Sequence, residues 1–402
     1  MLRAEATTLY DSLMTLALPL TTDPDAGLGE PTAPQAAPSR DGRRTLLDES
    51  PDALKAWLAE RGQPPMRVSQ IRKNVLANRS TTFDDMTDLP KTLRAELGAA
   101  FSIFSMDVER HLTASDGTQK LLLKLHDGKQ MECVLIPDDN RATACISTQV
   151  GCGMGCVFCA SGLNGVARNL TSGEILEQMV RLRNLTVVPG APPKQGHYGK
   201  LAERLTHVVV MGMGEPLANL DNLLSALAVA GDAAGLGIGA RHITISTVGL
   251  PAKIRKLADL GKQYHLAVSL HAPNETLRTE IVPTNAKTGI DEILSAADYF
   301  FRTTGRQVTF EYVVLGGTND QPIHAKQLAG LLKGRKAHVN LIPWNAVDGL
   351  PFRKPMDDNL TGFIDTLKRA GVSVTTRQRK GADIDAACGQ LRRRAEQTVV
   401  AS

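Results

Sequence analysis

No stretch of the chain approaches the roughly 18 uninterrupted apolar residues that a membrane-spanning helix requires. The one weak candidate, Leu13 to Leu20, is short and broken by Thr15 and Pro19, so the reading is a cytoplasmic protein with no membrane attachment. Charge of one sign is also nearly balanced, at +4 overall, too little to mark a nucleic-acid binder. Its placement says more, because Arg377, Arg379 and Lys380 crowd together and Arg392, Arg393 and Arg394 follow them. That is either a positive working surface or an ordinary solvated tail. Cysteine is too sparse for a disulfide scaffold: there are six in 402 residues. Five of them, Cys133, Cys145, Cys152, Cys156 and Cys159, lie close together while Cys388 stands alone, and clustered thiols in a reducing compartment suggest metal binding or catalysis.

What is present is a chain that is 42% hydrophobic, enough to bury one large domain with a smaller one beside it. Residues 1–44 are rich in Pro, Ala, Asp and Thr without periodicity and read as a flexible extension. Residues 45–105 turn helical, with apolar positions at Ala53, Leu54, Trp57 and Leu58, then Val68, Ile71, Val75 and Leu76, then Leu93 and Leu97. Residues 106–140 hold two strand patterns, Gln119 to Leu125 and Gln130 to Ile136, with Asp127-Gly128 as the hairpin turn between them. After Cys145, apolar strands recur with room for a helix between each: Thr206 to Met211, His242 to Ser246, His265 to Leu270, Val308 to Leu315, His338 to Ile342 and Val372 to Thr376. With the strand near Cys145 they number about seven. The fold class is therefore α/β, a partial (β/α)6-type barrel over residues 141–391 with a small N-terminal helical domain and a basic tail at 392–402. Periodicity alone also allows a doubly wound open sheet.

Cys152-Gly153-Met154-Gly155-Cys156-Val157-Phe158-Cys159 is a C-x3-C-x2-C loop just past a strand. Three thiolates so close can wrap one corner of a cubane iron-sulfur cluster, while the glycines let the backbone bend around the sulfurs. Tetrahedral zinc competes, but a closed zinc site needs a fourth ligand, and the sequence has no second C-x2-C pair. Three protein ligands for four irons would leave one iron open to a small molecule.

The triplet and its flanks resemble the radical S-adenosylmethionine (SAM) superfamily, in which the open iron is chelated by SAM. Gly212-Met213-Gly214-Glu215-Pro216 looks like that superfamily's glycine-rich strand end, where Glu215 can accept from the SAM amino group. More specifically, from about Thr45 to Leu391 the chain resembles the RlmN/Cfr family of RNA adenosine methyltransferases. The segments that carry this are Glu132, thirteen residues before Cys145, Arg141-Ala142-Thr143-Ala144-Cys145, Ser147-Thr148-Gln149-Val150-Gly151-Cys152, Arg168-Asn169-Leu170, and Asp383 to Leu391 around Cys388. The resemblance implies a 4Fe-4S cluster on Cys152, Cys156 and Cys159, and SAM contacts from Gly214, Glu215, Ser246, Ser269, Leu270, His271 and Asn345. Alone, Ser246 or Ser269 would be an ordinary strand-end hydroxyl and His271 a satisfied loop histidine. One departure is the stretch Arg72-Lys73-Asn74-Val75, where relatives carry an aromatic residue.

The resemblance also implies a reaction. Cys388 takes a methyl group from one SAM as a thiolate, with cations such as Arg377 and Arg379 favouring that form. A second SAM is cleaved to a 5′-deoxyadenosyl radical, which abstracts hydrogen from the S-methyl group, and the methylene radical adds to the adenine ring. Glu132 removes the ring proton, and Cys145 resolves the adduct by forming a disulfide with Cys388. Cys133 has no part in this: strand alternation points it away from Glu132. The implied partners are 23S ribosomal RNA at the peptidyl-transferase centre, tRNA at the adenosine 3′ to the anticodon, and an external reductant such as flavodoxin, with the enzyme a monomer. The helical domain and the basic C-terminal segment are candidates for the grip on RNA, whose target base must be unstacked. Carbon 2 is the favoured target, and a Cfr-type carbon-8 methyltransferase is the alternative. Outside enzymes, the alternative is an RNA-binding module with a structural metal centre.

Overall fold

The computed structural model describes residues 42–186 and 204–391. The N-terminal extension up to residue 41 and the tail with Arg392 to Arg394 lie outside the described residues.

The chain opens with β1 (Arg44–Thr45), followed by three helices, α1 (Pro51–Ala59), α2 (Met66–Leu76) and α3 (Lys91–Ala100), before β2 (Phe101–Ser102) pairs with β1. The Ser50 hydroxyl accepts from the Ala53 N–H at 3.1 Å, and Pro51, which has no N–H to leave unpaired, fills the first helical position. These helices bury Leu54, Trp57, Leu58, Ile71, Val75, Leu93 and Leu97, the residues that the apolar spacing selects. The Arg72 to Val75 stretch faces inward at Asn74, whose amide donates to the Gln70 carbonyl (3.0 Å) and to Asp88 Oδ1 (2.7 Å).

One ten-stranded sheet runs through the rest, in the order β3 (Asp107–Thr113), β4 (Gln119–Lys124), β5 (Gln130–Asp138), β6 (Arg141–Cys145), β9 (His207–Val210), β10 (Ile243–Thr247), β11 (His265–Ser269), β12 (Val308–Val314), β13 (Ala337–Pro343) and β14 (Ser373–Thr376). The seven strands from β6 to β14 are mutually parallel, and β3 to β5 extend the sheet antiparallel from β6. Among the described residues β14 does not pair with β3, so the barrel is open. Helices α4 (Ser172–Asn184), α5 (Leu220–Gly231), α6 (Pro251–Asp259), α7 (Glu275–Ile281), α8 (Ile290–Thr304), α9 (Pro322–Leu332) and α10 (Asp357–Arg369) are the crossovers. Such connections cover both faces of parallel strands, which is why β9 and β11 read as short apolar runs after their first histidine. A small hairpin, β7 (Gln149–Gly151) with β8 (Val166–Asn169), frames the cysteine loop.

The parallel strands fall where the sequence places them. The antiparallel part has one strand more than the two patterns suggest: β3 is exposed at six of its seven residues and so carries no buried alternation to read. The helical unit is bolted to the barrel by Arg183 of α4, whose guanidinium donates to the otherwise unpaired carbonyls of Val75 (2.8 Å) and Leu76 (2.7 Å) at the end of α2. Their apolar side chains join one continuous core.

Candidate active site

The parallel strands end at one rim, as they must in a βα barrel, and the loops that follow them line a cavity of about 160 Å³. Cys152, Cys156 and Cys159 form one wall. Gly155 sits at φ +67°, a turn that a side chain resists, and brings the three sulfurs to the same side. The sulfur of Cys152 accepts from the N–H groups of Met154 and Gly214, and that of Cys159 from the Ser161 and Gly162 N–H groups and the Ser161 hydroxyl. Burial pushes all three thiols up, Cys152 to about 12; proximity within the triplet pushes Cys152 and Cys156 up further, and Cys388 does the same to Cys159. Thiols in that state gain most from a cationic centre that they can bind as thiolates. Three sulfurs, with N–H donors aimed at two of them, fit a cluster held at three corners.

The opposite wall is built on a glycine that packs tightly against β7. Gly214 has φ +101°, and a Cβ there would lie 2.6 Å from Gln149 Cβ and 2.8 Å from its backbone nitrogen. Glu215 is buried, and its two carboxylate oxygens accept from the Leu217 N–H (3.0 Å) and the Val248 N–H (2.8 Å). The Thr247 hydroxyl also donates to this carboxylate, and of about four lone-pair directions these three bonds leave one for a ligand ammonium. Ser246 and Ser269 approach each other across β10 and β11, with 3.4 Å between their hydroxyl oxygens. His271 sits at φ +61°, and its Nδ1 accepts from the Val313 N–H at 3.1 Å. Burial drives its pKa down to about 3, so the ring is neutral with its proton on Nε2. Gly214, Glu215, Ser246, Ser269, His271 and Asn345 all line the cavity. Leu270 does not: its side chain is in the core, and its carbonyl accepts from Arg278 Nε at 3.1 Å.

Cys388 reaches this cavity from the far end of the chain because its loop is fastened to the cysteine loop. The Gly389 carbonyl accepts from the Ala160 N–H (2.8 Å), the Leu391 carbonyl from the Ser161 hydroxyl (2.7 Å), and the Cys388 carbonyl from Asn345 Nδ2 (3.1 Å). Cys145, at the end of β6, is its neighbour: burial pushes the Cys145 thiol up to about 12, and the Cys388 sulfur adds to that push. The Arg377 guanidinium lies between them and Glu311, and their negative charge raises its pKa, Cys388 contributing most. Cys388, Asn345 and Arg377 also line a second cavity of about 260 Å³, whose outer wall carries Arg141, Lys354, Arg379 and Lys380. Cys388 thus stands in the partition between a thiol-lined chamber and a cationic one.

Glu132 lies deeper, lining neither chamber. In the register of β5 against β6, Val134 faces Cys145, so Glu132, two residues away, shares the sheet face of Cys145 while Cys133 points to the other. The Cys133 thiol is fully buried there, and burial pushes its pKa up.

Besides Arg183, two buried cations escaped the sequence reading. Arg278 is 1% exposed, beside Cys156, and fastens the cavity floor by donating to Leu270, Val248 and Ser269 carbonyls and to Asn285. Lys120 is ion-paired with Glu132. Both stand in strings that read as surface, and only their burial singles them out.

A barrel whose first rim loop carries three cysteines and whose second strand ends in glycine and glutamate defines a radical SAM enzyme, and residues 146–328 match the Radical SAM superfamily model. Its cofactors are accordingly a 4Fe-4S cluster and SAM. Residues 45–103 match the model of the ribosomal RNA large subunit methyltransferase N-terminal domain. The chain is 52% identical, over 94% of its length and 96% of the relative's, to a "probable dual-specificity RNA methyltransferase RlmN" of Rhodopirellula baltica. It is 41% identical over 88% of its length, and 96% of the relative's, to the protein of that name in Bacillus subtilis. A crystal structure of a radical SAM methyltransferase from Sphaerobacter thermophilus superposes with a TM-score of 0.81 at 40% identity, covering 87% of this chain and 99% of that one. The chain belongs to the RlmN family of radical SAM RNA methyltransferases, which sets aside the reading as a binding module with a structural metal centre.

Proposed function

We propose that the protein methylates carbon 2 of an adenosine in 23S ribosomal RNA, and of the adenosine 3′ to the anticodon in tRNAs, through methylated Cys388 and a transient Cys145–Cys388 disulfide. The observation that carries this reading is the position of Cys388, shared by the thiol-lined chamber and the cationic one. A group that collects a methyl on one side and delivers it on the other needs that placement.

Cys152, Cys156 and Cys159 would hold the cluster, and Gly214, Glu215, Ser246, Ser269, His271 and Asn345 would hold SAM, while Leu270 acts behind the cavity by holding Arg278 through its carbonyl. When bound, these groups supply the methyl group, an electron and a hydrogen-abstracting 5′-deoxyadenosyl radical. The chain's own residues do the rest. Arg377 compensates the negative charge of Cys388 as a thiolate. The outer cations, Arg141, Lys354, Arg379 and Lys380, receive RNA phosphates, so that an unstacked base enters beside Cys388. Glu132 takes the proton lost by the ring carbon, and the Cys145 sulfur then attacks that of Cys388, releasing methylated RNA as the disulfide forms. An external reductant such as flavodoxin, in the cytoplasm, returns the two thiols, and the protein works as a monomer.

Mass spectrometry of nucleosides from ribosomal RNA and tRNA incubated with protein, SAM and reductant tests the regiochemistry. The expected product is C2-methyladenosine from both. C8-methyladenosine alone would transfer the protein to the Cfr branch.

A further inference from the structure

We propose that Lys120 is a positioning residue that couples the proton acceptor to the segment bearing the reactive thiol. The proposal rests on Glu132 being the proton acceptor. Lys120 lies on β4, between β5 and the edge strand β3, with its side chain 3% exposed. Its ammonium donates to Glu132 Oε1 at 2.9 Å and to the Asp385 carbonyl at 3.0 Å. A buried ammonium is tolerated only where charge and hydrogen bonds compensate it, and here the compensation comes from two parts of the chain that the reaction must bring together.

The turn between β3 and β4 grips the same segment. Asp116 Oδ2 accepts from the Gly381 N–H (2.9 Å), and Asp383 Oδ2 accepts from the Ser115 N–H (2.8 Å). Gly381, at φ +63°, packs so closely that an added Cβ would lie 2.8 Å from Thr118 Cγ2. Asp385 itself takes a left-handed conformation, φ 49° and ψ 46°, three residues before Cys388. Of these contacts only that of Lys120 also touches Glu132. A shared ammonium makes the carboxylate's orientation depend on whether the thiol segment is seated. Glu132 is therefore aimed for proton removal when Cys388 is in place and joined to the base. The proton passes from the ring carbon to a Glu132 oxygen, and Lys120, which keeps its own protons, holds that oxygen in line.

The steps can be read separately in the reconstituted holoenzyme: S-methylation of Cys388 by protein mass spectrometry, RNA-linked protein on a denaturing gel, and methylated product. Lys120→Met is expected to keep S-methylation within about twofold of wild type while RNA-linked protein rises about tenfold and product falls to match, as in Glu132→Gln. Lys120→Arg, which keeps the charge and the donors, should recover most of the turnover. Lys120→Gln, which keeps a donor for the Asp385 carbonyl without the charge, takes the place of Lys120→Met should the latter fail to fold. Hydrogen exchange of residues 381–388 should speed up relative to wild type in Lys120→Met, and stay near wild type in Lys120→Arg. Normal turnover in Lys120→Met, or S-methylation lost as fully as product, overturns the proposal, the latter making Lys120 a loop anchor alone. If Glu132→Gln itself builds no adduct, the proton-acceptor assignment fails and takes the coupling with it.

Discussion

At the scale of single residues, backbone conformation and burial decide what each group can do. Gly214 is required twice over, by φ +101° and by the 2.6 Å that a Cβ would leave to Gln149. Gly214→Ala should therefore cost on the order of 2 kcal/mol of stability and lower SAM affinity by about tenfold or more. Thermal unfolding and equilibrium SAM binding would check this, and wild-type values in both would mean that the strand end is looser than drawn. His271 shows the same logic in its chemistry, because an accepting Nδ1 leaves Nε2–H as the donor that the ring can offer a ligand. The sequence made the thiols legible, since their chemistry is written in their spacing. It hid Lys120 and Arg278, because a lysine between Gln119 and Leu121, or an arginine in Thr276-Leu277-Arg278-Thr279, carries no mark of burial. Their partners are supplied by tertiary packing: Asp385 for one, and the strand-end carbonyls for the other.

Among the elements, the loop from Cys152 to Cys159 works as a unit. Replacing Cys152, Cys156 or Cys159 singly with Ala should remove the cluster, because two thiolates cannot hold a cubane firmly. Iron and sulfide analysis of the anaerobically reconstituted variants reads this directly, and full retention of both in any one of them would contradict the ligand assignment. Most of the parallel strands were readable as short stretches of branched apolar residues spaced to leave room for a helix between them. By contrast β3, at the sheet edge, is nearly all exposed, so the period-2 signal that betrays a half-buried strand is missing. Its turn into β4 nevertheless carries the clasp on residues 381–385, a role that no local pattern announces.

For the whole molecule, the fold turns a separation of about 240 residues between Cys145 and Cys388 into proximity close enough for the Cys145 sulfur to feel the charge of Cys388. The β6 end carries one thiol, and the bonds from Ala160 and Ser161 to the C-terminal loop deliver the other. The central claim is that these two thiols divide the work, Cys388 carrying the methyl group and Cys145 releasing the product. It is tested most directly by incubating Cys145→Ala with RNA, SAM and reductant and resolving the protein on a denaturing gel, beside Cys388→Ala and Glu132→Gln. Cys145→Ala should accumulate protein joined to RNA through Cys388, and Cys388→Ala should show none, because no bond to RNA forms without the carrier. Normal turnover by Cys145→Ala with no adduct would contradict the account.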